Sequence, residues 1–270
     1  MNYLKIIVLF GALFVMLFTA NAQNDTLEKP KRIIHLHLTM QVDPFFGFLP
    51  IFGTIIKTKS WFGYTAYGKI WASSHFASAN VYELLDANNK PKEIKVYTND
   101  GSLTEIGGGI NFWLFKEQLS IRPQVGFTQG SLFSGGEPGP FDGIVPNMIT
   151  MFQNKRFDIY HNITVFKHMR EKGPVFKDVG HLVFLGGYKF TKFITAGVYW
   201  DYLWEMYNSK IQPCPADIIH WIGPYAQLNL PNGAYIRYTG GWNIADRNSS
   251  FLFKPKEYYK VSFFMPFHMN

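Results

Sequence analysis

Polar and apolar side chains alternate one for one along much of the chain. Between positions 234 and 244, Ala234, Ile236, Tyr238, Trp242 and Ile244 share one face, and Tyr235, Arg237, Thr239 and Asn243 share the other. In positions 222–230, Pro224, Ala226, Leu228 and Leu230 oppose Tyr225, Gln227 and Asn229. The stretch Ile194, Ala196, Val198, Trp200, Tyr202, Trp204 opposes Thr195, Tyr199, Asp201 and Glu205. Leu119, Ile121, Val125 and Phe127 oppose Ser120, Arg122, Gln124 and Thr128, and Ile106, Ile110, Phe112 and Leu114 oppose Glu105 and Asn111. A helix would repeat every three to four positions, so a period of two predicts strands with one apolar and one polar face. Segments of about ten residues with this pattern are the mark of a transmembrane β-strand.

The connections sort into two kinds. Short turns are expected at Lys57-Thr58-Lys59, Lys116-Glu117, Asn154-Lys155-Arg156, Thr191-Lys192 and Pro231-Asn232-Gly233, the last a hairpin signal. Longer links are expected from His75 to Asp100, Ser134 to Gly143, Met169 to Lys177, Tyr207 to Asp217 and Asp246 to Lys256. Short and long alternate, as in a chain that zigzags through a bilayer with short turns on one side and loops on the other. Parity of the crossings requires Ile33 to Val42 as a first strand, giving an antiparallel all-β transmembrane barrel of about twelve strands, with ten as the alternative. The tight link at Asp43-Pro44 is the weak point of that count. Positions 46–56, 145–153 and 179–190 are apolar or mixed on both faces, and His161 falls in register with Ile159 and Ile163, toward lipid.

The first residues change the picture from fold to compartment. Lys5, an uncharged apolar run from Ile6 to Phe18, and small residues at Ala20 and Ala22 predict a signal peptide over 1–22. A lead of 23–32 and a barrel of 33–270 complete the expected organisation, in the outer membrane of a Gram-negative cell. The apolar run is shorter than the roughly 20 residues a membrane helix needs. Aromatics make up 18% and charged residues 17% of the chain, against about a quarter charged in soluble domains. The net charge of +7 favours an anionic partner, either lipid head groups or an anionic solute. No basic cluster interleaved with aromatics points to nucleic acid. Cys214 is the only cysteine, so neither an internal disulfide nor a cysteine metal cluster can form.

Several stretches resemble a family of exported bacterial proteins of unknown function. They are Asp-Pro-Phe-Phe-Gly-Phe at 43–48, Thr-Glu-Ile-Gly-Gly-Gly-Ile at 104–110, Gln-Gly-Ser-Leu-Phe-Ser-Gly-Gly at 129–136, Gly-Ile-Val-Pro-Asn at 143–147, Trp-Ile-Gly-Pro-Tyr at 221–225 and Asn-Gly-Ala-Tyr-Ile-Arg at 232–237. The resemblance implies no activity. In length and strand number alone, the chain also resembles the nucleoside-specific channels of outer membranes. The final strand, with Val261, Phe263, Met265 and Phe267 on one side, resembles the targeting strand of such barrels. It departs from that pattern in its Phe267-His268-Met269-Asn270 ending and in Pro266, which lacks a ladder donor.

If the apolar faces meet lipid, the polar faces line the interior. They bring together Tyr67, Lys69, Glu105, Asn111, Arg122, Gln124, Tyr199, Asp201, Glu205, Tyr225, Gln227, Tyr235, Arg237 and Lys260 as candidate pore-lining residues. Two arrangements fit: an interior plugged by satisfied ion pairs, since buried charges must be paired, or a narrow polar channel whose aromatics could stack on a small polar or aromatic solute. Gly107-Gly108-Gly109 lies inside a strand and lacks the Lys-Ser/Thr ending of a phosphate loop, so close backbone approach or a bend is its expected role. His35 and His37 share a face but no third metal ligand sits at a suggestive spacing, and no cofactor is expected. A lipid hydrolase needs a nucleophile beside a histidine. Neither Tyr160-His161-Asn162-Ile163-Thr164 nor Ser73-Ser74-His75 supplies one with an evident acid. The expected functions are therefore, in order, a passive pore for small solutes, a closed barrel that interacts through the 75–100 loop, and a lipid-modifying enzyme.

Overall fold

The computed structural model describes residues 33–72, 80–85, 91–96, 103–134, 139–171, 176–209, 216–244 and 257–269. Cys214, the Ser73-Ser74-His75 stretch and the expected signal peptide and lead lie outside these residues.

The alternating segments form β1 (Ile33–Asp43), β2 (Gly47–Lys57), β3 (Phe62–Trp71), β6 (Leu103–Leu114), β7 (Leu119–Gly130), β8 (Gly139–Gln153), β9 (Phe157–His168), β10 (Lys177–Lys189), β11 (Ile194–Asn208), β12 (Ala216–Asn229), β13 (Tyr235–Asn243) and β14 (Glu257–Met269). A hairpin of β4 (Asn80–Leu85) and β5 (Pro91–Val96) lies within the β3–β6 connection as a separate two-stranded sheet. The other twelve strands close into one barrel, each sequential neighbour antiparallel to the next. Closure is made by β1 on β14, in register from Ile34↔Met269 to Val42↔Val261. Pro266 takes its place opposite His37 within this ladder. Twelve strands, not ten, is the observed count.

Wall polarity is the reverse of that in a water-soluble domain. Ile106 (68% exposed), Trp242 and Tyr238 stand on the outer surface, while Glu105, Asn111, Asp201 and Glu205 are fully buried inside. A contiguous apolar outer wall around a polar interior is stable against hydrocarbon and costly against water.

The short turns lie at one end of the barrel, here the turn end. The longer links lie at the other, the loop end. One connection breaks the sorting: β1 and β2 are joined by only three residues, Pro44 to Phe46, yet this link lies at the loop end. Asp43 makes the tight turn possible. Its Oδ1 accepts hydrogen bonds from the backbone N–H groups of Phe45 (2.9 Å) and Phe46 (2.6 Å), and Gly47 follows at φ 68°. The turn therefore folds into the barrel and does not extend away from it. A second difference concerns β8, which begins at Gly139, inside the link expected to run from Ser134 to Gly143.

His161 faces outward, opposite Thr150 and Phe184, with no register shift at that point. Register shifts occur instead at Thr128/Gly130, Asp178/Val179 and Leu203/Trp204, all toward the loop end. The glycine run has a packing role. A Cβ on Gly107 would come within 2.6 Å of the Tyr67 ring and 2.7 Å of the Gly126 Cα, so small residues here let Tyr67 lie flat on the wall.

Candidate functional site

Each residue expected on the interior polar face turns inward, and together they occupy two levels with different chemistry.

At the loop end the interior is buried and aromatic. Phe45 and Phe46, on the inward turn, are 0% and 2% exposed. Phe46 packs edge-on against Trp71 of β3 at 5.2 Å and against Trp221 of β12 at 6.3 Å, and lies 5.4 Å from His181 of β10. Trp221 stacks on Tyr258 of β14 at 4.5 Å and 3°. Trp71 reaches Phe166 of β9 at 6.2 Å, and Phe166 stacks on Phe133 at 5.2 Å. These strands lie on opposite sides of the ring, so the side chains meet across the axis and form an aromatic seal. Phe133 belongs to the β7–β8 link, whose start also folds inward. Asp142 on β8 holds it by accepting from the N–H groups of Phe133 and Ser134, each at 2.9 Å.

Beneath the aromatic rings lies a buried charge network. Lys260 Nζ is 3.2 Å from Asp201 Oδ2 and 3.6 Å from Asp43 Oδ2, and donates to the Tyr199 hydroxyl oxygen at 2.6 Å. Tyr199 in turn donates to Asp201, and His181 Nε2 lies 2.7 Å from Asp201 Oδ1. The ammonium group sits 5.5 Å above the Phe46 ring. This network ties the inward turn to three strands of the wall. Nearby, Glu105 accepts from Lys69 Nζ (2.8 Å) and from the Tyr67 hydroxyl (2.7 Å), and Asn147 donates to Tyr67 at 3.0 Å. Glu205 accepts from Asn208 at 3.3 Å.

Toward the turn end the inward residues are polar, with Arg122, Tyr235 and Arg237 part-buried among buried Thr65, Asn111, Gln124 and Gln227. Gln124 donates to Thr65 Oγ1 at 2.7 Å. Arg122 donates to Asn111 Oδ1 at 2.7 Å, and Arg237 donates to Gln227 Oε1 at 2.6 and 2.9 Å. The Arg237 guanidinium also covers the rings of Tyr235 (4.7 Å) and Tyr225 (5.3 Å).

The interior therefore changes with depth: paired charges lie under an aromatic seal, and neutral hydrogen-bonded polar groups with two arginines lie below them. Sequence reasoning missed Asp43, Phe45, Phe46, Trp71, Trp221, His181 and Tyr258. Parity alone places Trp71 with Lys69, Trp221 with Tyr225, and Tyr258 with Lys260 on the inward face. No periodic signal marks the turn residues. His37 lies against Gly53 and 5.8 Å from Phe264. Among the described residues, no group of three or more His, Cys, Asp or Glu is placed to hold a metal.

Closed walls, reversed polarity and sided connections define the architecture as a closed antiparallel β-barrel of twelve strands. The chain belongs to a family of unknown function, DUF6733, whose model matches residues 1–267. No curated protein matches it in sequence. Among solved structures, it is similar to the COG4313 outer membrane channel from Pseudomonas putida F1, with a TM-score of 0.52, 8% identity, and coverage of 91% of this chain and 100% of that one. It is also similar to KdgM porin, with a TM-score of 0.44, 11% identity, and coverage of 87% and 99%. NanC porin gives a TM-score of 0.42, 8% identity, and coverage of 84% and 98%.

Proposed function

We propose that the protein is a narrow outer-membrane channel for small solutes, reaching that membrane through a cleaved signal peptide at 1–22, and that the inward β1–β2 turn closes it at rest. The observation that carries this reading is the polar inner wall, which runs from Lys260 and Glu105 down to Arg122 and Arg237 inside an apolar outer wall. A barrel that served only as a membrane staple would gain nothing from burying so many polar groups, each of which needs a partner. The shared architecture with a protein described as an outer membrane channel agrees with it.

Reconstitution in liposomes tests the proposal. Slow release of small solutes is expected, falling steeply as solute size rises. Release no faster than from protein-free vesicles, together with the absence of conductance steps in planar bilayers, would overturn it. The second reading, a closed barrel that presents the 75–100 connection to a partner, would then remain. It draws support from the aromatic side chains that meet across the axis and from the β4–β5 hairpin within that connection.

A further inference from the structure

Charge is balanced differently at the two levels of the interior. Toward the loop end each ion pair is complete, Glu105 with Lys69 and Asp201 with Lys260 and His181. Toward the turn end two guanidinium groups are held only by neutral partners. Arg122, on β7, donates its Nε to Asn111 Oδ1 at 2.7 Å and lies 3.2 Å from Ser120 Oγ. Arg237, on β13, gives both Nε and Nη2 to the single oxygen Gln227 Oε1. Gln227 is committed in turn to Asn229 Oδ1 at 2.6 Å. Among the described residues, neither arginine forms an ion pair with a carboxylate. An acid on this part of the wall, Asp158, accepts from Gln153 at 3.0 Å.

The two arginines point inward from opposite walls, β7 and β13, which stand six strands apart in the ring. Tyr160 of β9 lies within electrostatic reach of both of them and of Tyr235, and His37 of β1 lies within reach of Arg122. Tyr235 stacks on Phe264 at 5.0 Å, which carries the lining round to His37. Two positive charges without counterions, inside a low-dielectric wall, focus a field that draws anions into the lumen. A guanidinium is also the side chain best shaped to grip a carboxylate or phosphate with two parallel hydrogen bonds.

We propose that Arg122 and Arg237 form an oxyanion-binding site in the turn-end half of the lumen, for a small solute that carries a carboxylate or phosphate and rests its body against Tyr235. The site deepens the channel reading and rests on it, because it names the class of solute that would enter. Nothing in the ion-pair network above needs these two charges, and holding them inside a barrel without counterions is costly unless an anion supplies the balance.

Isothermal titration of the full detergent-solubilised barrel with benzoate and, separately, with inorganic phosphate tests the site without requiring transport. Binding of at least one probe is expected. Arg122→Gln and Arg237→Gln should each weaken it roughly tenfold or more, the loss of a charge-assisted pair. Arg122→Lys and Arg237→Lys keep the charge and lose the fork, so they should weaken binding less, and they decide the matter where a glutamine variant fails to melt cooperatively. Benzoate without phosphate would mark a carboxylate site with a ring platform, and phosphate without benzoate a site for the compact anion. No binding of either probe, or binding equal in all variants, overturns the proposal. Binding that depends on both arginines in a protein that releases no solute from liposomes would sink the channel reading and leave the site standing.

Discussion

Replacing Phe46 by alanine is expected to raise the conductance of the barrel several-fold, and replacing Phe46 and Trp221 together is expected to raise it further. Phe46 touches rings from β3 and β12 and the imidazole of β10, so it bridges widely separated parts of the wall. Its removal leaves a gap on the axis that neighbouring rings cannot fill, because Trp221 is held flat against Tyr258 and Trp71 edge-on against Phe166. Large-to-small changes of this kind cost about 3–5 kcal/mol in a packed core. The β-ladder closed by β1 and β14 does not run through these rings, so the cylinder should persist while the seal opens. Phe115→Ala, on an exposed turn (67% exposed) at the opposite end, should change neither conductance nor stability. Single-channel recording of the three variants checks the expectation, and a Phe46→Ala barrel as tight as the wild type would refute the seal.

Lys260→Met is expected to be the most destabilising single change and to loosen the same seal from below. Lys260 is the cation shared by Asp201 and Asp43. Without it two carboxylates face each other in a buried site with only His181 left to balance them. Removing one partner of a buried pair costs about 3–5 kcal/mol, because the other charge stays buried and uncompensated. Asp43 carries the effect to the turn, since the same carboxylate accepts the Phe45 and Phe46 N–H groups that fold the aromatics inward. Denaturant unfolding in detergent, followed by tryptophan fluorescence, should show the loss, and liposomes should leak faster than with the wild type. A midpoint unchanged from the wild type would mean that the network does not hold the turn.

The sequence was most legible where the barrel has lipid on one side of its wall and polar groups on the other. There a period of two must appear, and β7, β11, β12 and β13 follow it. It failed at positions 46–56, 145–153 and 179–190, and the structure supplies a common reason. Leu49, Val145, Val179 and Leu185 point inward into the aromatic section and are 7%, 0%, 0% and 4% exposed. Where the interior is buried and aromatic, both faces of a strand are apolar and alternation disappears. A lost pattern in the middle of a barrel sequence is thus itself a sign of a sealed level. In the sequence the Asp43-Pro44 link is only a very tight connection, because length says nothing about direction. The Asx-type capping by Asp43 is a local signal, but the inward fold of Phe45 and Phe46 depends on Trp221 and Trp71, far away in sequence. Pairing of charges was legible only in part. Lys69 stands directly opposite Glu105 in the β3–β6 register, whereas Lys260 meets Asp201 across two intervening strands, a contact that no pairwise register encodes.

In this barrel adjacent residues on one strand look out on different media, hydrocarbon and lumen. Environment-sensitive fluorophores on single cysteines in a Cys214→Ser background read this directly in vesicles that contain brominated lipid. Labels at Ile106, Val125 and Tyr238 should be quenched by the lipid and not by aqueous iodide, and labels at Tyr67, Arg122 and Arg237 should show the opposite. Equal quenching by the lipid at neighbouring inward and outward positions, such as Arg237 and Tyr238, would contradict the barrel's orientation in the membrane.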